Sequence, residues 1–288
     1  MPKNIKQALE EAASSLSAHP DSSPQLEAAV LLCHLLEKPR SHLHAWPEKM
    51  LDNAQYQAYR TLLERRRKGE PIAYITGRRE FWSLELEVTP ETLIPRPDTE
   101  LLVELALAHL PQENHYRIAD LGTGSGAIAL AIASERPDCE IHATDRSSAA
   151  LAVARKNGDK LGFNNVHFHL GSWFEALPGH DRFRLILSNP PYIPEKDPHL
   201  AQGDLSSEPR EALAAGSDGL DDIRVIVSEA HSYLHPGGWL LLEHGFDQAA
   251  AVQALLLEAG LTEVQSHRDL AGHERITEGR LPHEITSA

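Results

Sequence analysis

The stretch Arg117-Ile118-Ala119-Asp120-Leu121-Gly122-Thr123-Gly124-Ser125-Gly126-Ala127 reads as a short apolar strand that enters a glycine turn and leaves it as a helix. Three glycines in five residues let the backbone turn sharply and approach a ligand closely. Alone the loop is weak evidence. It also satisfies the G-x-G-x-x-G/A pattern of dinucleotide sites, with Ala127 last, and a tight turn without a ligand is the plain alternative. Outward from it, strand-like segments at 140–144, 166–170, 184–188, 238–243 and 262–267 alternate with helical ones. This alternation predicts an α/β domain, a parallel sheet with helices on both faces. The strand after the glycine turn ends at Asp145, 19 residues beyond Gly126. A carboxylate there can accept from both hydroxyls of an adenosine ribose, which suits NAD and S-adenosylmethionine equally, or it can cap the following helix.

Leu185-Ile186-Leu187-Ser188-Asn189-Pro190-Pro191-Tyr192-Ile193 says more. Each proline fixes φ near −65° and lacks an N–H, and the residue before each is pushed out of the helical region, so the loop after this strand is stiff. Asn189 Oδ1 and the Pro190 carbonyl are then two acceptors on a rigid frame, able to hold both protons of an –NH2 group. Tyr192 can lay its ring beside a planar amide or base. An amide nitrogen is a poor nucleophile because its lone pair is delocalised. Fixing it near an electrophilic methyl is a proximity effect, and binding it more tightly as it turns positive is preorganised electrostatics. No metal is required, and no metal site is expected.

The 288 residues suit one large or two unequal domains, and 41% hydrophobic with 24% charged residues is a folded composition. No apolar stretch reaches the ~20 residues of a membrane span, and no apolar segment follows the first residues as in a signal peptide. Cys33 and Cys139 cannot form a disulfide framework and fit a reducing cytoplasm. The net charge is −15, but residues 1–80 carry 12 basic and 10 acidic side chains, so the acidity belongs to the remainder. That argues against stable nucleic-acid binding and for two different surfaces. Helices are expected at 5–16, closed near Pro20, at 24–36, capped by Ser23 with Pro24 first and stopped by Pro39, and at 53–68, stopped by Gly69. The alternation Leu84-Glu85-Leu86-Glu87-Val88 is a strand, and Gly77, between 72–76 and 80–88, permits a hairpin.

At this point the chain resembles the class I S-adenosylmethionine-dependent methyltransferases, and more narrowly the HemK/PrmC family of release-factor glutamine N5-methyltransferases. The matching pieces are Gly69-Glu70-Pro71-Ile72-Ala73-Tyr74-Ile75-Thr76-Gly77, Ile94-Pro95-Arg96-Pro97-Asp98-Thr99-Glu100, the glycine loop, and Ser188-Asn189-Pro190-Pro191-Tyr192-Ile193. Further on come Glu208-Pro209 with Ala212-Leu213, Leu242-Glu243-His244-Gly245, and Asp269-Leu270-Ala271-Gly272. The resemblance implies a Rossmann-like, seven-stranded methyltransferase domain at 93–288. It also implies a small N-terminal helical substrate-recognition domain at 1–72 and a hairpin linker at 73–92. It implies that the methyl of S-adenosylmethionine moves to the side-chain amide of the glutamine in the Gly-Gly-Gln motif of class I peptide-chain release factors. Gly122, Thr123, Gly124, Ser125 and Gly126 would line the cofactor, Asp145 would hold its ribose and Trp173 would flank its adenine. Asn189 would touch both cofactor and substrate, with Pro190, Pro191 and Tyr192 framing the glutamine. Asn189, Pro190 and Tyr192 would carry the catalysis, and Pro97, Thr99 and Glu100 would lie near the cofactor's methionine end. Ser172 stands where the family often has an acidic residue, which weakens the expected adenine contact.

The same loop could serve an adenine-N6 nucleic-acid methyltransferase, since an exocyclic amine poses the same problem, but the acidity beyond residue 80 is poor support for it. An NAD-dependent oxidoreductase would leave Asn189–Tyr192 unexplained, and a non-catalytic binding module would not need the intact loop. The basic run Arg65-Arg66-Arg67-Lys68 reads either as cations at a helix C-terminus or as a docking patch. His231 and His235 are expected as ordinary surface histidines on one helix, and Trp46, Trp82 and Trp239 as packing residues.

Overall fold

The structure is a computed structural model describing residues 3–16, 23–111, 115–177, 179 and 182–283. The chain divides into two compact units, residues 1–78 with 201–207, and 79–200 with 208–288. No helix among the described residues is long and apolar enough to cross a membrane.

The first unit is helical. In α1 (Ile5–Leu16), Ile5, Ala8, Ala12 and Leu16 form one buried stripe at helical spacing. Its expected stop at Pro20 lies outside the described residues. In α2 (Pro24–Leu36), Pro24 opens the helix, but Ser23 makes no side-chain capping bond, and left-handed Glu37 ends it. A short α3 (Arg40–Ala45) follows Pro39. α4 (Asn53–Arg67) starts with a reciprocal cap: Asp52 accepts from the Gln55 N–H at 2.8 Å, and the Gln55 side chain accepts from the Asp52 N–H at 3.1 Å. Tyr59 and Leu63 pack on α1 and α2, and the buried Tyr59 hydroxyl donates to the Ala28 carbonyl at 2.8 Å. The first three residues of the basic run are paired: Arg65 with Glu70, Arg66 with Glu27 and Asp204, and Arg67 with Glu64. Those charges complement carboxylates of the same unit, which favours the structural reading of the run. Trp46, expected to pack, is 60% exposed.

Residues 72–76, expected before the Gly77 turn of a hairpin, form the helix α5 (Ile72–Thr76). The Pro71 carbonyl accepts from the N–H groups of Tyr74 and Ile75, which nucleates the turn despite two β-branched isoleucines. Gly77 ends this helix at φ 70°, and the hairpin lies one step later, β1 (Arg78–Phe81) and β2 (Leu84–Glu87). Its two-residue turn is Trp82–Ser83, both at positive φ, the mirror-image turn that matches strand twist. Trp82 packs against the main core as expected.

The second unit contains β3 (Arg117–Leu121), β4 (Glu140–Asp145), β5 (Val166–Leu170), β6 (Phe183–Ser188), β7 (Leu234–Glu243), β8 (Thr262–Arg268) and β9 (Glu274–Arg280). They form one sheet in the order β5-β4-β3-β6-β7-β9-β8. The sheet is not wholly parallel as expected, because β9 runs antiparallel to both β7 and β8. β9 was hidden in the sequence: Glu274-Arg275-Ile276-Thr277-Glu278-Gly279-Arg280 is charged at both ends, and only its middle is fully buried. β7 starts at Leu234, so His235 lies on a strand and not on a helix with His231. Both are exposed, and no metal-holding cluster exists among the described residues.

Strand residues alternate between two cores. Ile118, Leu185, Leu187 and Leu241 face α6 (Glu100–Ala108) and α7 (Ala127–Glu135). Ala119, Leu121, Ile186, Leu240 and Leu242 face α9 (Asp221–Tyr233) and α10 (Ala249–Glu258). α8 (Ser148–Leu161) connects β4 to β5, and its buried Asn157 accepts from the Glu87 N–H and donates to the Glu87 and Ser125 carbonyls. One side chain thus ties the hairpin to the glycine loop. The chain leaves β3 toward β4 on one side and returns to β6 on the other. That switch point opens a crevice at the strands' C-terminal ends.

Candidate functional site

The glycine turn is held from below. The N–H groups of Gly122 and Thr123 both donate to the Thr144 carbonyl, at 2.9 and 2.8 Å. Asp120 is fully buried under the turn and accepts from the Thr123 hydroxyl at 2.6 Å and the Ala129 N–H at 3.2 Å. Its Oδ1 has no partner among the described residues, and burial pushes the carboxyl up to about 7. Asp145, at the end of β4, accepts from the Gly124 N–H at 2.9 Å and the Ser147 N–H at 2.8 Å. A carboxylate offers about four acceptor positions, so capacity for hydroxyl donors remains.

A cavity of about 370 Å³ opens over this turn, lined by Gly122, Gly124, Asp145, Trp173, Asn189 and Pro191. A side chain at Gly124 would meet nothing within 4 Å, whereas one at Gly122 would stand 3.1 Å from the Trp173 ring. The indole therefore lies over Gly122, and Gly124 leaves its backbone bare to the cavity. Carboxylate, bare backbone and indole fit a nucleoside: hydroxyls on Asp145, a close approach at the glycines, a ring face for a base. Ser172 joins the lining beside Trp173.

Not every expected cofactor residue reaches this space. Thr123 is buried beneath the turn, and the Ser125 carbonyl accepts from Asn157. A side chain at Gly126 would press on Leu130 and Ala154, so that glycine serves helix packing. Pro97 is exposed, and Glu100 accepts from the Trp82 N–H at 2.9 Å, bracing the hairpin.

The rigid loop sits beside the glycine turn because β6 pairs with β3, and the Ser188 hydroxyl donates to the Leu121 carbonyl at 2.6 Å. Pro190 and Pro191 are buried, and Asn189 is partly exposed. The Asn189 amide donates through Nδ2 to Thr99 Oγ1 at 3.3 Å. Tyr192 is not part of the cavity lining. Its hydroxyl lies 3.5 Å from Glu243 Oε1, its carbonyl accepts from Gln248 at 3.0 Å, and burial pushes its phenol pKa up. Glu243, at the end of β7, is 2% exposed, and burial pushes its carboxyl up to about 7.

Sequence reasoning missed two parts of the wall. Residues 91–93 and 209–212 line the cavity, and Arg146 joins them. Glu208 clamps these segments: its buried carboxylate accepts from the Ile94 N–H at 3.2 Å and pairs with Arg96. A glutamate beside a proline in a long loop was the available signal.

Residues 7–77 match the PrmC N-terminal domain and residues 112–280 a methyltransferase domain. A release factor glutamine methyltransferase of Vibrio cholerae is 50% identical over 284 residues, 99% of each chain. One of Coxiella burnetii is 54% identical over 258 residues, 90% of this chain and 92% of the relative. Among solved structures, a methyltransferase of Pyrococcus furiosus superposes with a TM-score of 0.52 at 18% identity, covering 69% of this chain and 89% of that one, a likeness of fold alone. With about half of its residues shared along nearly the whole length of such relatives, this chain belongs to the release factor glutamine methyltransferase family.

Proposed function

We propose that the chain moves a methyl group from S-adenosylmethionine to the side-chain amide nitrogen of the glutamine in the Gly-Gly-Gln motif of class I peptide-chain release factors, in the cytoplasm. The observation that carries the reading is that Asn189 and Pro191 line the same cavity as Gly122, Gly124 and Asp145. A site for an –NH2 group and a site for a nucleoside would thereby share one space. The names of the full-length relatives support the choice of a glutamine amide over an adenine amine.

S-Adenosylmethionine supplies an electrophilic methyl on a sulfonium. The chain's own residues do the rest. Asp145 would hold the ribose hydroxyls, Trp173 would lie against the adenine, and the bare backbone at Gly124 would admit the methionine end. Asn189 Oδ1 and the Pro190 carbonyl would accept the two protons of the glutamine amide and aim its nitrogen. As the carbon–nitrogen bond forms and the carbon–sulfur bond breaks, nitrogen becomes positive and both acceptors bind it more tightly. One of the held protons then leaves to water. Residues 1–72 would serve recognition of the protein substrate, 73–92 would link, and 93–288 would carry the chemistry.

Purified chain incubated with methyl-labelled donor and either a release factor or nucleic acid tests the reading. Label in the release factor is expected. Label in adenine alone would overturn it.

A further inference from the structure

The Gly-Gly-Gln motif of the functional reading offers one side chain, and that side chain enters the cavity. Two glycines beside it give a protein surface nothing to hold. The contacts that bind the substrate must therefore come from residues outside the motif, against the rim around Asn189. A specific protein interface covers roughly 800 Å² on each partner, a disc of roughly 16 Å radius. Any protein whose glutamine reaches Asn189 covers that rim.

On the β7 side the rim carries two large apolar side chains in water. β6 and β7 run parallel with Ser188 opposite Leu242, so Asn189 and the residues after Glu243 leave the sheet at the same end. β9 runs antiparallel to β7, with Glu243 opposite Ile276 and the His244 N–H donating to the Arg275 carbonyl at 2.9 Å. The turn between β8 and β9, residues 269–273, therefore closes at that end too. Side chains link it to the catalytic loop. Asn189 Nδ2 donates to Thr99 Oγ1 at 3.3 Å, the neighbouring Asp98 carboxylate lies 3.9 Å from Arg275, and Arg275 pairs with Asp269 at 3.2 Å. Leu270, in this turn, is fully exposed, and Phe246, just beyond the end of β7, is 61% exposed. The Phe246 ring centroid lies 5.7 Å from that of His273 in the same turn.

The turn is braced. The Asp269 N–H donates to the His273 carbonyl at 2.8 Å and the Gly272 N–H to the Asp269 carbonyl at 3.0 Å. The Asp269 carboxylate, its side chain 3% exposed, accepts from the His273 N–H at 2.9 Å and from Arg275. A single exposed leucine is ordinary. A leucine held out on a braced turn, beside a phenylalanine, on a rim that a protein substrate has to cover, is an anchor with little left to order on binding.

Resting on the functional reading above, we propose that Phe246 and Leu270 form an apolar docking patch for the folded segment of release factor that flanks its Gly-Gly-Gln motif. The patch sets affinity for the protein substrate and takes no part in the chemistry.

The test is binding of release factor, with S-adenosylhomocysteine present, to the wild type and to Phe246→Ala, Leu270→Ala, Leu270→Met and Leu257→Ala. Leu257 is the control: it is 59% exposed on α10, which carries it back to the end of the sheet where β8 begins. All three side chains stand in water, so truncation leaves the cores intact. Phe246→Ala and Leu270→Ala should each weaken release-factor binding about tenfold, the scale of an interface anchor. Both should keep kcat at saturating release factor, and affinity for S-adenosylhomocysteine, within about twofold. Leu270→Met and Leu257→Ala should bind like the wild type. Unchanged binding in both alanine variants of the patch overturns the inference while the functional reading stands. So does an equal loss in Leu257→Ala, or a loss of kcat without loss of binding. Sedimentation showing a wild-type dimer that Leu270→Ala dissolves would assign the patch to a second copy of this chain and overturn it too. A wild type that neither binds nor methylates release factor sinks the functional reading and this inference with it.

Discussion

Asn189 is where residue chemistry is most exposed to test. Asn189→Ala leaves the target amide one acceptor short, and removal of one preorganised group costs about 2.7–4 kcal/mol, or ~10²–10³ in kcat. Single-turnover kinetics with saturating release factor measure it, and a variant at the wild-type rate would reduce the loop to a structural turn. Asp145→Ala should weaken cofactor binding by about 1.5–3 kcal/mol, the worth of a hydrogen bond to a charged group. Calorimetry with S-adenosylhomocysteine reads that, and unchanged affinity would place the ribose elsewhere. Asn189 and Asp145 were legible in the sequence because each ends a strand and sits in a motif whose local geometry is fixed by glycine or proline. Thr99 was expected near the cofactor's methionine end, but its bond to Asn189 was not legible. That contact spans 90 residues of chain, and no local pattern encodes it.

At the scale of elements, periodicity found the strands and helices with a clean face and missed those whose neighbours decide. Residues 72–76 look β-branched but fold as a helix because Pro71 supplies the accepting carbonyl. β9, an inner strand between β7 and β8, lacks a clean apolar pattern because it buries polar residues, with Glu278 bound by His109 and His267. The hairpin carries a testable cost. Ser83 sits at φ 59° without glycine's freedom. Ser83→Gly should stabilise the second unit by about 1 kcal/mol, seen as a higher urea midpoint at constant slope. A lower midpoint would mean that the serine side chain holds the turn.

For the whole molecule, two buried carboxyls respond alike to pH. Burial pushes Asp120 and Glu243 each up to about 7, well above their ordinary values near 4. A carboxyl raised on folding holds its proton in the native state, so its stabilising contribution is full below pH ~4 and is lost as pH rises through about 7. Asp120→Asn stays neutral throughout. The wild-type melting temperature should therefore drop relative to Asp120→Asn as pH rises from about 4 to about 7 and level off above, and a constant difference would show that Asp120 does not titrate there. The charge asymmetry read from composition belongs to the same scale. The residues beyond 80 carry a net charge of −17 against −15 for the whole chain, which supports a protein over a nucleic acid as the substrate.

Tandem mass spectrometry of release factor after reaction with the wild-type chain and S-adenosylmethionine tests the central claim most directly. The expected result is one added methyl on the side-chain amide of the glutamine in the Gly-Gly-Gln peptide, with none there for Asn189→Ala on the same timescale. A methyl on any other residue, or an unmodified glutamine after full turnover, would contradict it.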